Sequence, residues 1–96
     1  MNTNPPCYPW LWDVDLDNAT FEAILRGRLS VSGLDAEWAM LRLIEYAPYR
    51  EVRRLLPWDD FLRRWPVLMA QVRSESRRAG MDFVASWIRQ GRLAHG

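Results

Sequence analysis

Lysine is absent from this chain, and all 13 of its basic residues are arginine. A Schiff base, a lysine nucleophile and the lysine of a phosphate-binding loop all need a primary amine, so the sequence excludes these three kinds of site. Cysteine and histidine occur once each, as Cys7 and His95. One cysteine cannot form an internal disulfide or a thiolate metal cluster, and neither residue has neighbours that would activate it for catalysis.

Long apolar runs are missing as well. No stretch approaches the roughly 18 apolar residues that a membrane-spanning helix needs. The N-terminus has neither the basic start nor the apolar run of a secretory signal. Together with the single cysteine, these absences predict a cytoplasmic protein.

Residues that favour β-strands are few. Only 11 of the 96 residues are Val, Ile or Thr, and because they do not cluster, no sheet is predicted. Hydrophobic residues make up 49% of the chain and charged residues 26%, which is typical of one globular domain. The predicted fold class is all-α: a single compact bundle of five or six short helices with an extended N-terminal arm.

Prolines, glycines and the spacing of apolar residues divide the chain into helices. Asp17 or Asn18 is expected to cap the first helix, and Pro66 to end the fourth. Gly80 and Gly91 are expected to end the fifth and the sixth. The second helix is apolar on two sides, which predicts a central position. The six helices are expected at residues 18–26, 35–46, 48–56, 57–66, 67–79 and 82–90.

The two ends of the chain are expected to be less regular than its middle. Residues 1–9 include three prolines and are predicted to form a flexible tail. Residues 10–92 are predicted to form the single helical domain, and residues 93–96 to fray. From Trp12 to Asp17 apolar and acidic side chains alternate, so this arm is expected to lie extended on the core.

Asp13, Asp15 and Asp17 have the spacing of the first half of a calcium-binding loop. In such a loop the sixth position is glycine and the twelfth is glutamate, but here they are Asn18 and Ile24. The same Asp-x-Asp pattern occurs in magnesium-dependent nucleotidyltransferases, yet no glycine-rich loop accompanies it here. We therefore interpret these aspartates as an acidic edge of the arm and a helix cap, with a metal site as the alternative.

Charge is distributed unevenly along the chain. The first 25 residues contain four acidic side chains and no basic one, whereas residues 61–96 contain seven arginines and two acidic side chains. Two of those arginines lie one turn after an Asp-Asp pair, which offsets their charge. The others could form a solvated face, contact an acidic protein or bind nucleic acid. Within this set the residues predicted to contact a partner are Arg73, Arg77 and Arg78.

Six tryptophans supply much of the apolar surface. Trp10 and Trp12 lie beside prolines in the arm, where they either dock on their own domain or contact a partner. We predict them as partner-binding residues, because tryptophan is enriched in the central contacts of protein interfaces. The other four are expected in the core because they occupy apolar helical faces; they are Trp38, Trp58, Trp65 and Trp87.

Four segments carry a resemblance to a known family: WDVDL at 12–16, FEAILRG at 21–27, WAMLRLIEYAP at 38–48 and GMDF at 80–83. From about residue 10 to 90 the chain resembles a family of small uncharacterised bacterial helical proteins. Its members are often encoded beside a nucleotidyltransferase of the abortive-infection type. The resemblance therefore implies an antitoxin or accessory partner of such an enzyme, by association and not by mechanism.

No nucleophile with a matching base, ligand cluster or phosphate loop can be assembled from these residues. The sequence therefore predicts a protein that is not an enzyme and needs no cofactor or metal. The expected function is that of a protein-interaction module, with a nucleotidyltransferase as the partner that the resemblance implies. The alternative is a small nucleic-acid-binding regulator that uses its basic C-terminal helices.

Overall fold

The computed structural model describes residues 8–95, with side chains described as far as residue 91. A single turn of 3-10 helix at Pro9–Leu11 is followed by five α-helices. These are α1 (Asn18–Leu25), α2 (Ala36–Tyr46), α3 (Tyr49–Leu55), α4 (Trp58–Met69) and α5 (Glu75–His95). The described residues contain no strand, only an isolated bridge between Val31 and Leu34. The predicted all-α fold class is confirmed.

The first two helices begin at aspartate caps. The Asp17 carboxylate accepts a hydrogen bond from the Thr20 amide at 2.7 Å, and the Asp35 carboxylate accepts one from the Trp38 amide at 3.0 Å. Each cap satisfies an amide that the first helical turn leaves without a partner. The Asp17 cap also lowers the pKa of that carboxyl, chiefly through the hydrogen bond from Thr20. After α1 the chain turns at Gly27, whose φ of 76° suits a residue without a β-carbon.

The core is built around α2, which packs against all four other helices and the 3-10 turn. The buried side chains of α2 include Met40, Leu43 and Ile44. They meet Phe21 from α1 and Phe61 from α4, both fully buried. The second helix is therefore central, as predicted. A helix that is apolar on two sides can bury both of them only when other elements pack on each side.

The arm before α1 belongs to the core and is not extended throughout. Trp10 is 2% exposed; its ring stacks on Tyr8 at 4.5 Å and meets the edge of Phe21 at 6.2 Å. The Tyr8 amide also donates to the Asn18 side chain at 2.8 Å. Burial, together with the hydrogen bond that Tyr8 donates to Glu22, raises the pKa of Tyr8. Of the tail predicted at residues 1–9, residues 1–7 lie outside the described part of the chain.

Pro66 does not end a helix, contrary to the prediction, because α4 continues through it to Met69. A proline inside a helix removes one backbone hydrogen bond, here the bond to the carbonyl of Leu62. The Arg89 guanidinium of α5 donates to that carbonyl oxygen at 2.9 Å. Trp65 and Leu68, on either side of the proline, are both buried. The helix persists because both of its halves are packed and the orphaned carbonyl has a donor.

Gly80 and Gly91 do not end helices either, and the two helices predicted at residues 67–79 and 82–90 are wrong. The chain bends between α4 and α5, and one long helix begins at Glu75. The Ser74 hydroxyl accepts from the Arg77 amide at 3.3 Å, a capping contact at the start of that helix. A β-carbon at Gly80 would lie 2.6 Å from the hydroxyl of Tyr49. This glycine therefore marks a close approach of α3, not a helix end.

Candidate functional site

An open apolar groove of about 640 Å³ lies between α3 and α5. We call it the α3–α5 groove. Val52 and Met81 form its buried floor, and Trp58, from the start of α4, closes one side. Among the side chains that the structure describes, Arg53 is the one charged group that lines it. The described residues that line it are Tyr49, Val52, Arg53, Trp58, Met81, Val84, Trp87 and Ile88.

The groove exists because α3 is too short to cover α5. Pro48 and Pro57 flank a helix of only 7 residues, which packs mainly on α2. α5 has 21 residues and packs on α2 and α4. One end of the groove is formed by Tyr49, whose ring lies under the Arg77 guanidinium at 5.2 Å.

Two large aromatic side chains project from α5 beside the groove. Phe83 is 73% exposed and Trp87 is 67% exposed. Trp87 was expected in the core, and that prediction is wrong because Met81 and Ala85 occupy the core-facing side of this helix instead. Phe83 and Trp87 are one turn apart, so they lie on the same side of α5. Exposed aromatic patches of this kind commonly mark interaction sites.

A second aromatic cluster surrounds Arg42 of α2. Its guanidinium lies over the rings of Trp12, Trp38 and Tyr46 at 4.8, 5.2 and 5.5 Å. The same group donates to the Asp13 carboxylate at 2.6 Å. The hydrogen bond from Arg42 lowers the pKa of Asp13. This cluster joins the arm to α2, and Trp12 remains 62% exposed within it.

The structure separates the two tryptophans that were predicted as partner contacts. Trp10 is buried against Tyr8 and Phe21, so its ring does not lie at the surface of the domain. Trp12 lies at the surface, with the Arg42 guanidinium over its ring. The difference arises because the 3-10 turn directs two neighbouring residues inward, Trp10 and Leu11, and leaves the next one outside.

The three arginines predicted as partner contacts also differ. Arg77 donates to the carbonyl oxygens of Ile44 at 2.9 Å and Ala47 at 2.5 Å, so it satisfies the C-terminal end of α2. Arg78 is half-buried; it donates to the Val72 carbonyl at 3.4 Å and lies 4.0 Å from Glu75. Both guanidinium groups are thus engaged within the domain. Arg73 is exposed and borders a smaller pocket next to the Arg42 cluster.

The other charged pairs lie away from the groove, except for one on α3. Asp60 accepts from both Arg63 and Arg64, and Arg64 also lies 3.5 Å from Glu37. On α3, Glu51 and Arg54 pair at 2.7 Å, and this hydrogen bond lowers the pKa of Glu51. Apart from Arg53, the described residues that line the groove carry no charge.

The three aspartates of the arm do not converge. Asp13 pairs with Arg42, Asp17 caps α1, and Asp15 is exposed. Within the described part of the chain there is no group of three or more potential metal ligands from the His, Cys, Asp and Glu residues. None of the described helices is long and apolar enough to cross a membrane.

Comparison with known proteins assigns neither a family nor a function to this chain. No protein-family model, curated protein or solved structure matches this chain. The groove was not predicted from the sequence, although α5 carries more apolar residues than one core-facing side can hold. Met81 and Ala85 face inward, whereas Phe83 and Trp87 face outward. That surplus is the sequence signal for an exposed apolar surface.

Proposed function

We propose that the domain is a non-enzymatic protein-interaction module and that its partner docks in the α3–α5 groove. The observation that carries the proposal is the 67% exposure of Trp87 at the rim of an open apolar groove of about 640 Å³. Leaving so large an aromatic side chain in water is unfavourable, because covering it gains roughly 25 cal/mol per Å² of apolar area. A bound partner would recover that free energy.

The shape of the groove favours a helix as the docking element. Its walls are the sides of two helices, so a third helix could pack its apolar side chains between them. Trp58, Val84 and Ile88 would contact those apolar anchors, since all three are only partly buried in the free domain. Arg53 at the edge would pair with a carboxylate on the polar side of the partner helix. The expected ligand is thus an amphipathic helix with acidic flanking residues.

The resemblance supplies the identity that we propose for the partner. It implies an abortive-infection-type nucleotidyltransferase, with this domain as its antitoxin or accessory protein in the cytoplasm. Covering the groove would remove exposed apolar surface from both proteins. A stable complex of this kind buries about 800 Å² on each partner. The groove and its rim would form the centre of such an interface, where the dominant contacts usually lie.

The test is co-production of the domain with a nucleotidyltransferase of the abortive-infection type, followed by affinity capture on the tagged domain. Trp87→Ala should reduce capture at least tenfold, whereas Trp12→Ala should leave it unchanged. The two variants are matched, because both remove a tryptophan exposed by more than half, 67% in one case and 62% in the other. Loss of capture in Trp12→Ala alone would place the contact on the arm and refute the groove.

Charge reversal on α3 gives a second matched pair. Arg50 and Arg53 are both exposed on the same helix, but only Arg53 lines the groove. Arg53→Glu should weaken capture and make it less sensitive to salt, and Arg50→Glu should do neither. Equal effects of the two substitutions would show that net charge, not the groove, controls the interaction. Circular dichroism of each variant checks that the fold is retained.

A further inference from the structure

One end of the α3–α5 groove depends on a contact between Tyr49 of α3 and Gly80 of α5. Residues three or four apart on α5 lie on the side of this helix that meets α3, and they are Arg77, Gly80, Val84 and Ile88. Gly80 is the member of this series without a side chain. The Tyr49 hydroxyl occupies that space, because a β-carbon at Gly80 would lie 2.6 Å from its oxygen and 3.6 Å from the ring carbon Cζ.

Arg77 bounds the Tyr49 ring on another side. Its guanidinium lies 5.2 Å from the ring centroid and donates to the carbonyl oxygens of Ile44 and Ala47. Because these two hydrogen bonds hold the guanidinium in place, the ring has no room to move towards Arg77. A ring displaced from Gly80 would therefore move towards the groove, where it covers apolar side chains instead of extending into water.

The groove is short, so the position of one ring changes it substantially. Met81 and Ile88 lie seven residues apart on α5, which corresponds to about 10 Å or two helical turns. On the opposite wall α3 has 7 residues, and it is therefore about as long. A docked helix would place its apolar side chains against both turns. A tyrosine ring that lay against one of these turns would leave about one turn for a partner.

We infer that Gly80 is a positioning residue of the groove: it keeps the Tyr49 ring against α5 and out of the docking surface, so that Tyr49 forms a fixed end wall. This inference rests on the proposed docking of a partner in the α3–α5 groove. Glycine inside a helix is less favourable than alanine, so α5 itself gives no reason for a glycine at this position. The space that the Tyr49 hydroxyl needs does give one.

Nuclear magnetic resonance of the full chain tests where the ring lies, without any partner. Gly80→Ala should strengthen the nuclear Overhauser effects between the Tyr49 ring and the Val84 methyl groups. Those between the ring and the Arg77 side chain should weaken. Gly91→Ala is the matched control, because Gly91 also lies inside α5 and no described atom lies within 4 Å of a β-carbon there. It should change neither set of contacts. An unmoved Tyr49 ring in Gly80→Ala would overturn the inference.

Affinity capture of the nucleotidyltransferase tests whether the position of the ring controls docking. Gly80→Ala should weaken capture about tenfold, because the displaced ring occupies part of the docking surface. Gly91→Ala should capture the enzyme as well as the wild type does. If Gly80→Ala moves the ring but captures equally well, Gly80 does not control docking and the inference is wrong.

Tyr49→Ala separates the positioning effect from any other consequence of a residue larger than glycine. In a Tyr49→Ala background there is no ring to displace, so adding Gly80→Ala should leave capture unchanged. The same weakening with and without the ring would refute the positioning role. The two proposals fail in different ways. A ring that moves as expected, in a protein whose wild type captures nothing, would refute the proposed function and support the role of Gly80 in shaping the groove.

Discussion

Arg89 of α5 donates a hydrogen bond to the carbonyl oxygen of Leu62 in α4, at 2.9 Å. That carbonyl would have bonded to the amide of residue 66, but Pro66 has no amide hydrogen. A side chain 27 residues along the chain thus replaces a backbone bond of the helix. The contact also ties the two helices together, beside the hydrogen bond between Trp65 and Asp82 at 3.0 Å.

This replacement predicts coupling between Arg89 and Pro66. Arg89→Ala should lower the free energy of unfolding by about 0.5 to 1.5 kcal/mol, the usual worth of one hydrogen bond. In a Pro66→Ala background the helix regains its own amide, so the cost of Arg89→Ala should shrink towards zero. Urea unfolding of the four chains in the cycle measures the difference. An unchanged cost in the Pro66→Ala background would show that the contact does not compensate for the proline.

The two tryptophans of the arm should behave differently on replacement. Trp10→Ala removes a ring that is 2% exposed and leaves a cavity, so we expect a loss of about 3 to 5 kcal/mol. Trp12→Ala removes a mainly exposed ring and should cost below about 1 kcal/mol. Thermal and urea unfolding of both variants provides the comparison. Similar losses for the two would contradict the docking of the arm through Trp10.

Arg77 should be a stability residue and Arg73 should not. Arg77→Ala leaves the carbonyls of Ile44 and Ala47 without their donor and removes the contact with Tyr49, so a loss of about 1 to 3 kcal/mol is expected. Arg73→Ala changes the same charge at an exposed position and should fall within about 0.5 kcal/mol of the wild type.

The same two variants bear on nucleic-acid binding. If the domain were a nucleic-acid-binding regulator, the exposed Arg73 would be the more accessible phosphate contact of the two. Retention on a nucleic-acid column at low salt, lost in Arg73→Ala, would favour that function over the protein-docking groove. We expect no such retention.

The Asp13 and Arg42 pair should make docking of the arm sensitive to acid. Arg42 holds the pKa of Asp13 below its ordinary value of 3.8. A carboxyl with a lowered folded-state pKa contributes its stability above the ordinary pKa, and the contribution is lost as the pH falls through the lowered value. The difference in unfolding midpoint between wild type and Asp13→Asn should therefore be present at pH 6 and shrink as the pH falls below the ordinary pKa of an aspartate.

Two other carboxyls with lowered pKa, Asp17 and Glu51, lose their own contributions in acid in both chains, so the comparison isolates Asp13. Asp15→Asn provides the control, since it changes the same charge two residues away. If Asp15→Asn reproduced the effect of Asp13→Asn, general charge would be the cause and the specific pair would be excluded.

Local signals in the sequence located α1 and α2 well. Asp17, one of the two residues predicted as the cap, is the N-cap of α1, and α2 is central because apolar residues occupy both of its sides. Such features depend on residues a few positions apart, which a sequence displays directly. The all-α fold class follows from the same periodicity and from the scarcity of β-branched residues.

The errors came from contacts between residues distant in sequence. The local sequence predicts helix ends at Pro66 and Gly80, but Arg89 supplies the missing donor in one case and Tyr49 occupies the space in the other. Neither contact is visible in the local pattern. Trp87 was assigned to the core for a related reason, since periodicity shows which residues share a side of a helix and not which side another helix covers.

The burial of Trp10 has a practical consequence for where the domain begins. A shortened chain starting at α1 would lack the indole ring that fills the space above Phe21, together with the Tyr8 contacts to Asn18 and Glu22. Such a fragment should be poorly soluble, because the surface exposed by the loss of Trp10 would be apolar. Fusion partners and affinity tags should therefore be attached upstream of Tyr8, where they leave the contacts of Tyr8 and Trp10 with the core intact.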